Sequence, residues 1–229
     1  MSELYYHFVG ANKRLRFDME SVEVSVGQTL HFDGEPVLCE QGFHASERPL
    51  DALYYAPSDA EWLCGVRLSG TVIHGADKSV ATERTVVWML NARKLLVEFA
   101  LWNVEQAFAA IRKIGIEPDK RSIGAVRIVR LWLVDKATKE ELIAAATAAR
   151  AAADAAYADA DDAYSADAAY AAATAAADAA AYAAASAYAA ASASDAAAYA
   201  ATYYAAAREA QNGQLEKMIR AELRVQNAK

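Results

Sequence analysis

The N-terminal part of the chain carries short runs in which apolar and polar residues alternate. Residues 4–9 are rich in aromatic and β-branched side chains, and residues 22–26 and 62–68 place an apolar side chain at every second position. Because side chains on a strand point alternately to its two faces, these runs predict three strands. A short helix is predicted between them over 49–55, with Ser46 as its cap. We therefore expect a small sheet packed against few helices.

Farther along the chain the apolar spacing becomes that of a helix. Residues 91–114 repeat apolar side chains at helical spacing, which predicts a helix that covers the sheet. Residues 125–134 are apolar apart from two arginines, and periodicity there does not separate a buried strand from a short helix. We favour a strand. The residues that define the apolar face of the first helix are Leu95, Phe99, Trp102 and Ile111.

The most biased stretch is residues 144–207, where 41 of 64 positions are alanine. Alanine has the highest helix propensity, and neither glycine nor proline occurs between Gly124 and Gly213, so a helical body is predicted. One continuous helix over residues 139–211 would extend roughly 110 Å and bury none of its methyl groups. The chain is therefore expected to fold back, with breaks near 160–165 and 192–195, where polar capping residues gather.

Both ends of this body carry signals of their own. Thr138 and Glu141 form a capping box, which predicts that the first alanine-rich helix begins there. Asn212-Gly213 predicts a turn before a last amphipathic helix. The apolar stripe of that helix is Leu215, Met218, Ile219 and Leu223.

These patterns together predict an α+β protein with two domains. The first, residues 1–137, is a small strand-rich domain with packing helices. The second, residues 138–229, is an alanine-rich antiparallel helical bundle. The change in composition near Asp135 marks the boundary between them.

Eight of the twelve tyrosines lie in the alanine-rich body, and helical spacing places six of them on two stripes. Two readings stay open. The rings fill a bundle core that alanine alone leaves short of bulk, or they form an exposed surface for a partner, because tyrosine is enriched in interface hot spots. The candidate interface consists of Tyr157, Tyr164, Tyr170, Tyr182, Tyr188 and Tyr199.

The charge of the chain is uneven. The net charge is −7, and residues 144–212 account for −6 of it, since they contain seven Asp and one Glu but two Arg. An acidic surface repels nucleic-acid phosphate, so no direct nucleic-acid binding is expected. Two cysteines are too few for a disulfide framework, and we expect neither a signal peptide nor a membrane span. These features predict a cytoplasmic protein without a membrane partner.

The stretch with the most distinctive mixture of side chains runs from residue 37 to residue 55. It gathers thiol, imidazole, carboxylate and aromatic side chains around a glycine, so we treat it as a candidate pocket for a ligand or partner. The candidate pocket residues are Cys39, Glu40, Gly42, Phe43, His44, Asp51, Tyr54 and Tyr55.

That stretch is part of a set of motifs spread over about residues 15–105. The motifs are Val26-Gly27-Gln28-Thr29, His31-x-Asp33-Gly34, Cys39-Glu40-x-Gly42-Phe43-His44-Ala45, Pro49-Leu50-Asp51 and Leu68-Ser69-Gly70. The set resembles an uncharacterised small domain that recurs in phage and prophage proteins, and the alanine-rich tail resembles tails seen in such proteins. The resemblance implies a phage-type accessory protein in the cytoplasm of the host bacterium, and it implies no mechanism.

Two chemical uses of the cysteines can be weighed from the sequence. Cys39, His44, Cys64 and His74 are ligand types that zinc prefers, but their spacing is not that of a zinc ribbon or finger. Cys39 beside His44 also has the composition of a nucleophile and its base, yet the sequence places no third group to orient the imidazole. We therefore expect no metal and no other cofactor, and we assign no catalytic residue.

An enzymatic alternative stays open. ADP-ribosyltransferases of the His-Tyr-Glu type use a histidine on an early strand, tyrosines on a following helix and a glutamate on a late strand. The order of His7, Tyr54, Tyr55 and Glu83 resembles theirs and implies an NAD-binding N-terminal domain. We predict that these four residues do not converge, because Glu83 beside Arg84 is typical of a solvated surface pair.

The favoured function is that of a non-enzymatic binding protein. Its acidic, tyrosine-bearing helical body is expected to dock on a host protein with a basic surface, because complementary charge speeds association. A host-defence antagonist has a role of this kind. Self-association of the chain is left open.

Overall fold

The structure, a computed structural model, describes residues 4–15, 22–57, 59–159, 163–184 and 204–228. Its contacts divide into two compact units, Met1–Arg93 with Leu215–Lys229, and Lys94–Gln214. The fold is α+β, as predicted, with an N-terminal antiparallel sheet followed by helices. The sequence places the domain boundary at 137/138, whereas the contacts group the helices from residue 94 onward with the alanine-rich segment.

The described part of the first unit contains a five-stranded antiparallel sheet. Its strand order is β1-β4-β5-β2, and β3 pairs with β5 on the same edge as β2. The strands predicted over 4–9 and 62–68 are confirmed as β1 and part of β4. The strands are β1 (Tyr5–Gly10), β2 (Thr29–His31), β3 (Phe43–Ala45), β4 (Ala60–His74) and β5 (Ser79–Asn91).

The sheet curls until its two sides meet. β4 departs from regular pairing at residues 65/66 and 69–72, and such bulges bend a strand and increase its twist. Ser46, directly after β3, then pairs with Tyr6 of β1: the Tyr6 N–H donates to the Ser46 carbonyl at 2.7 Å and the Ser46 N–H donates back at 3.0 Å. The path of strands is thereby closed, and it encloses an interior.

An apolar cluster fills this interior. Residues 62, 64, 66 and 68 of β4 share the face toward it, as the alternation predicts. Fully burying a valine-sized side chain contributes about 1.5–3 kcal/mol, so a cluster of this size stabilises the curled sheet. Its buried members are Tyr5, Val9, Leu15, Val24, Leu30, Phe43, Ala45, Cys64, Val66, Val86 and Met89.

The strand predicted over 22–26 is wrong. Glu23 makes one isolated bridge with Arg14, and the chain turns at Val26 and Gly27. Gly27 has a φ of +84°, which a strand residue does not adopt. The alternation is real, since Val24 is buried, but it is too short to continue past the turn.

The short helix is confirmed as α1 (Pro49–Tyr54), but its predicted cap is wrong. Ser46 is engaged with β1 through its backbone, and Arg48 occupies the N-cap position, with no side-chain cap among the described residues. Pro49 begins the helix. Because proline has no N–H, the first turn has one donor fewer that needs a cap.

The remaining described elements are helices. α2 confirms the helix predicted over 91–114, and its predicted packing on the sheet stays a prediction. No helix in the described ranges is both long and apolar enough to cross a membrane. The helices are α2 (Arg93–Lys113), α3 (Lys120–Trp132), α4 (Lys139–Asp159), α5 (Ala163–Ala184) and α6 (Tyr204–Asn227), of which the part from Leu215 belongs to the first unit.

The strand favoured over 125–134 is wrong, because most of this segment belongs to α3. The Asp119 carboxylate caps the helix by accepting from the Arg121 N–H at 2.7 Å. The buried positions then follow a spacing of three and four residues, which is one face of a helix. They are Ser122, Ala125, Val126 and Val129.

The capping box at the start of α4 is confirmed. The Thr138 N–H donates to the Glu141 carboxylate at 2.8 Å, and the Glu141 N–H donates to Thr138 Oγ1 at 3.2 Å. Each side chain thus satisfies a backbone donor that the helix leaves unpaired. The alanine-rich body begins where the sequence predicts.

α4 and α5 form an antiparallel pair. Arg150 bonds to Asp178 at 2.5 Å, while Ala152 and Ala153, farther along α4, pack on Ala173, earlier in α5. The predicted fold-back between α4 and α5 is confirmed by these antiparallel contacts. The second predicted break, at 192–195, lies outside the described residues.

The turn predicted at Asn212-Gly213 is wrong, because α6 continues through it. Asn212, Leu215 and Ile219 are buried at helical spacing. Glycine inside a helix costs about 1 kcal/mol relative to alanine, and burial of this face outweighs that cost. The predicted amphipathic stripe is confirmed, and the Gln226 amide donates to the Met89 carbonyl of β5 at 3.2 Å.

Candidate functional site

A pocket of about 540 Å³ opens in the first unit, among β1, β3, β5 and the turn before β3. It is lined by six of the eight residues that the sequence singles out there: Cys39, Glu40, Gly42, Phe43, His44 and Tyr55. Asp51 and Tyr54, both on α1, do not line it. The sequence therefore locates the pocket, although α1 contributes to it through residues other than Asp51 and Tyr54.

The turn before β3 is held by the ring of His44. The Cys39 N–H donates to its Nε2 at 3.0 Å, and its Nδ1 lies 3.2 Å from the Gly42 carbonyl. Because a carbonyl can only accept, Nδ1 carries the proton and the ring is neutral. Burial lowers the pKa of His44, in keeping with this neutral form. Both ring nitrogens are engaged by the backbone, so His44 stabilises the turn and is not available as a general base.

Gly42 allows the turn to approach β5 closely. Its φ is +101°, and a Cβ built there would lie 2.8 Å from Cγ2 of Val80. Only glycine meets both conditions without strain. The glycine of the Cys-Glu-x-Gly-Phe-His motif is thus explained by backbone geometry.

At the edge of the pocket, Lys78 contacts both the Tyr55 ring and the Cys39 side chain. Nζ of Lys78 lies 3.9 Å from the centroid of the Tyr55 ring, and the Tyr55 hydroxyl donates to the Asp77 carboxylate. Burial lowers the pKa of Lys78, but a hydrogen bond with the Cys39 side chain and the neighbouring Tyr55 outweigh that effect, so the pKa is raised. Lys78 is therefore a cation that lines the pocket.

Arg84 on β5 is the most unusual residue of the pocket. Its side chain is only 2% exposed, and its guanidinium lies 5.2 Å from the centroid of the Phe43 ring. Nη1 donates to the His44 carbonyl at 3.1 Å, whereas the buried Nε has no hydrogen-bond partner in the described structure. Burial lowers the pKa of Arg84 to about 10, so it is still a cation near neutral pH.

His7 and Cys64 face each other across β1 and β4. Burial lowers the pKa of His7 well below its ordinary value, and the charge of Arg84 acts in the same direction. Burial raises the pKa of the Cys64 thiol to about 11. A neutral imidazole beside a protonated thiol is not an activated nucleophile, and Cys64, which is fully buried, does not line the pocket.

The four residues of the transferase alternative do not converge. His7 and Tyr55 line the pocket, whereas Tyr54, 38% exposed, and Glu83 do not. Glu83 accepts from Ser69 Oγ at 2.8 Å, and its carboxylate lies 3.3 Å from the His31 ring. The predicted surface pair of Glu83 with Arg84 is wrong, because neighbouring residues of a strand point to opposite faces and Arg84 points inward.

The four zinc-type ligands are also dispersed. Cys39 is exposed, Cys64 is buried, and the His74 ring bonds to Ser79 Oγ at 3.0 Å. Within the described residues, no group of three or more His, Cys, Asp or Glu side chains could hold a metal ion.

Arg84 is the residue that sequence reasoning misses. It stands two positions before Val86 on β5, and Val86 belongs to the apolar cluster. The two-residue period of a strand therefore places the Arg84 side chain on the inner face. The adjacent Glu83 hides this signal, because a glutamate beside an arginine is typical of a surface pair. Lys78 is missed as well, because it becomes part of the pocket only when the β4–β5 hairpin folds over Tyr55.

The candidate interface tyrosines are mostly beyond what the structure describes. Tyr170 is partly buried against Ala152, Ala153 and Ala173, which agrees with the reading of the rings as packing residues. The other five side chains, those of Tyr157, Tyr164, Tyr182, Tyr188 and Tyr199, lie outside the described residues.

Comparison with known proteins gives one match. A family model described as a domain of unknown function (DUF7666) matches residues 6–98. No curated protein and no solved structure matches the chain. All the residues that line the pocket lie inside the matched range, so the sheet with its pocket is similar to that family. The match names no activity, and the resemblance to phage proteins stays a prediction.

Proposed function

We propose that this protein is a non-enzymatic accessory protein of the phage type, which binds a host protein through its acidic helical body. The observation that carries the non-enzymatic part is the state of the reactive side chains in the pocket and around it. Both ring nitrogens of His44 are engaged, and Cys64 is a buried thiol with a raised pKa. Glu83, the carboxylate that a transferase would need, faces away from His7. The site has the means to bind rather than to react.

The charges of α4 support a partner with a basic surface. Glu140, Glu141 and Asp154 are exposed. Arg150 is paired with Asp178, so its charge is compensated within the helix pair. These exposed carboxylates, together with the net charge of −6 on residues 144–212, create a field that attracts a basic surface and raises its association rate.

The test is capture of a host protein by the intact chain, compared with two charge-reversal variants. Glu140→Lys with Asp154→Lys changes the exposed acids of α4 and leaves the capping residue Glu141 in place. Asp33→Lys with Glu47→Lys makes the same change of net charge on exposed positions of the sheet unit. The proposal expects capture that weakens with added salt and is lost in the first variant only.

Equal loss in both variants would show an effect of net charge and would contradict docking through the helical body. The enzymatic alternative is tested in the same lysate with labelled NAD and the variant Glu83→Gln. Label transfer that this substitution abolishes would overturn the proposal.

A further inference from the structure

The geometry points to an anion-binding site in the pocket of the sheet unit: Arg84 holds the carboxylate or phosphate group of a small organic ligand. Three observations carry this inference: a buried cation for which the described residues supply no counter-charge, a donor on that cation for which they supply no acceptor, and a cavity beside it. The site is independent of the function proposed above, because the pocket lies in the first unit and the acidic helices lie in the second.

The first observation is the burial of a charge. Transfer of a guanidinium out of water is costly unless an opposite charge or a full set of acceptors replaces the solvent. Arg84 is 2% exposed, and within the described ranges no carboxylate lies at ion-pair distance from it. The nearby Cys64 does not compensate it, because this thiol is protonated near neutral pH.

The second observation is the hydrogen bonding of the same side chain. The carbonyl of His44 accepts from Nη1 at 3.1 Å, and the face of Phe43 lies 5.2 Å away. Nε is buried and has no acceptor in the described structure. A guanidinium presents its donors as a fixed fork that matches the two oxygens of a carboxylate or phosphate. An oxyanion would supply both the missing acceptor and the missing charge.

The third observation is the space itself. The pocket of about 540 Å³ falls within the range of roughly 300–1,000 Å³ that small-molecule sites occupy. Among the residues that the structure describes, its lining includes Lys78 and the buried Arg84 but one carboxylate, Glu40, which is exposed. This local excess of positive charge stands out in a chain of net charge −7.

The remaining lining defines the rest of the ligand. Phe32, Phe43, Ala52 and Pro57 contribute apolar surface to the same pocket, and the Phe43 ring lies beside Arg84. A bare inorganic ion would leave this surface without contacts, whereas an aromatic or aliphatic acid covers it. The ligand class is therefore a small apolar molecule with one oxyanion, either a carboxylate or a phosphate monoester.

The first experiment uses the unaltered full chain in a buffer without oxyanions. Benzoate and phenyl phosphate represent the two kinds of oxyanion, and benzyl alcohol is the neutral analogue of similar shape. Titration is followed by the NMR signals of the Arg84 Nε–H and the His7 ring, and by calorimetry. We expect saturable shifts of both signals with at least one anion and none with benzyl alcohol, and the stronger of the two anions identifies the group that the pocket prefers.

The second experiment uses variants. Arg84→Met removes the charge and the fork, and Arg84→Lys keeps the charge alone. Arg67→Met is the matched control, because Arg67 is exposed on the neighbouring strand and does not line the pocket. We expect anion affinity to fall by about tenfold or more in Arg84→Met, by less in Arg84→Lys, and not in Arg67→Met.

Absence of any shift with both anions at millimolar concentration in the unaltered chain would overturn the inference, whatever the folding of the variants. Equal binding of benzyl alcohol and the anions would also overturn it, because the pocket would then be apolar without a charge requirement. Neither result would bear on the capture of a host protein by the helical body.

Discussion

The indole ring of Trp88 on β5 lies over Gly65 on β4, so that a Cβ built at Gly65 would be 2.1 Å from Cε2 of the ring. Gly65 is paired with Tyr6 on its other side, and the Tyr6 and Trp88 rings meet edge to face at 6.2 Å. The two aromatic side chains thus share the space that the glycine leaves open. This contact lies on the face of β4 opposite to Cys64 and the apolar cluster.

Gly65→Ala should destabilise the protein by about 1–3 kcal/mol, because the added methyl group overpacks the site and displaces the indole. The measurement is the midpoint of urea unfolding. Gly124→Ala is the control, since Gly124 lies in α3 with nothing within 4 Å of its built Cβ. That change should stabilise by up to about 1 kcal/mol. Wild-type stability of Gly65→Ala would contradict the close contact.

The two cysteines should differ sharply in reactivity toward a maleimide. Cys39 is exposed, whereas Cys64 is fully buried and its pKa is raised to about 11. Since the thiolate is the reactive form, we expect rapid labelling of Cys39 and labelling of Cys64 only after denaturation. Mass spectrometry counts the labels. Rapid labelling of native Cys39→Ser would show that Cys64 is accessible and that the interior of the sheet is not closed.

Stability should fall as the solution becomes more acidic than the ordinary pKa of histidine, partly because of His7. Burial holds the pKa of His7 well below 6.5 in the folded state. The unfolded chain therefore binds a proton that the folded chain resists, and acid favours unfolding over this window. The contribution reaches at most about 1.4 kcal/mol per pH unit.

The measurement compares urea midpoints at about pH 7.5 and about pH 5.5 for the wild type and His7→Gln. The variant should lose less stability on acidification. Part of the dependence of stability on pH should remain, because burial also lowers the pKa of His44. An identical loss in both proteins would show that His7 is not buried in its neutral form.

Gly213→Ala should stabilise the protein, because residue 213 lies inside α6 with a helical backbone and nothing within 4 Å of its built Cβ. The expected gain is up to about 1 kcal/mol, and helix content should not fall. Circular dichroism and thermal unfolding provide the measurement. Destabilisation would support the turn that Asn212-Gly213 predicts from the sequence.

The sequence predicts best where a single period or a local motif decides the outcome. The alternation over 62–68 and the capping box at Thr138 are decided by residues close together in the chain, so part of β4 and the start of α4 could be predicted. Residues 125–134 could not, because two arginines interrupt an apolar run that fits either period. The helix there is selected by burial of Val126 and Val129, which depends on neighbours far away in the chain.

The sequence predicts the turn that lines the pocket but not the buried positive charge of the pocket. The motif around Gly42 locates one wall, because glycine and the ring of His44 hold that turn locally. Arg84 comes from a strand some forty residues later, and no local rule predicts a buried arginine. Its inward position is decided by the pairing of β5 with β2 and β4, which is a property of the whole sheet.

The ion pair between Arg150 and Asp178 specifies how α4 and α5 are aligned. The surfaces that meet there are nearly all alanine, and a face of identical methyl groups packs about equally well after a shift along the helix axis. A slip of one turn moves a residue by about 5.4 Å, which would separate the guanidinium from the carboxylate that it now contacts at 2.5 Å. Among the described residues of this uniform body, the charged pair acts together with the Tyr170 ring, which packs on Ala152, Ala153 and Ala173, to define how the two helices are aligned.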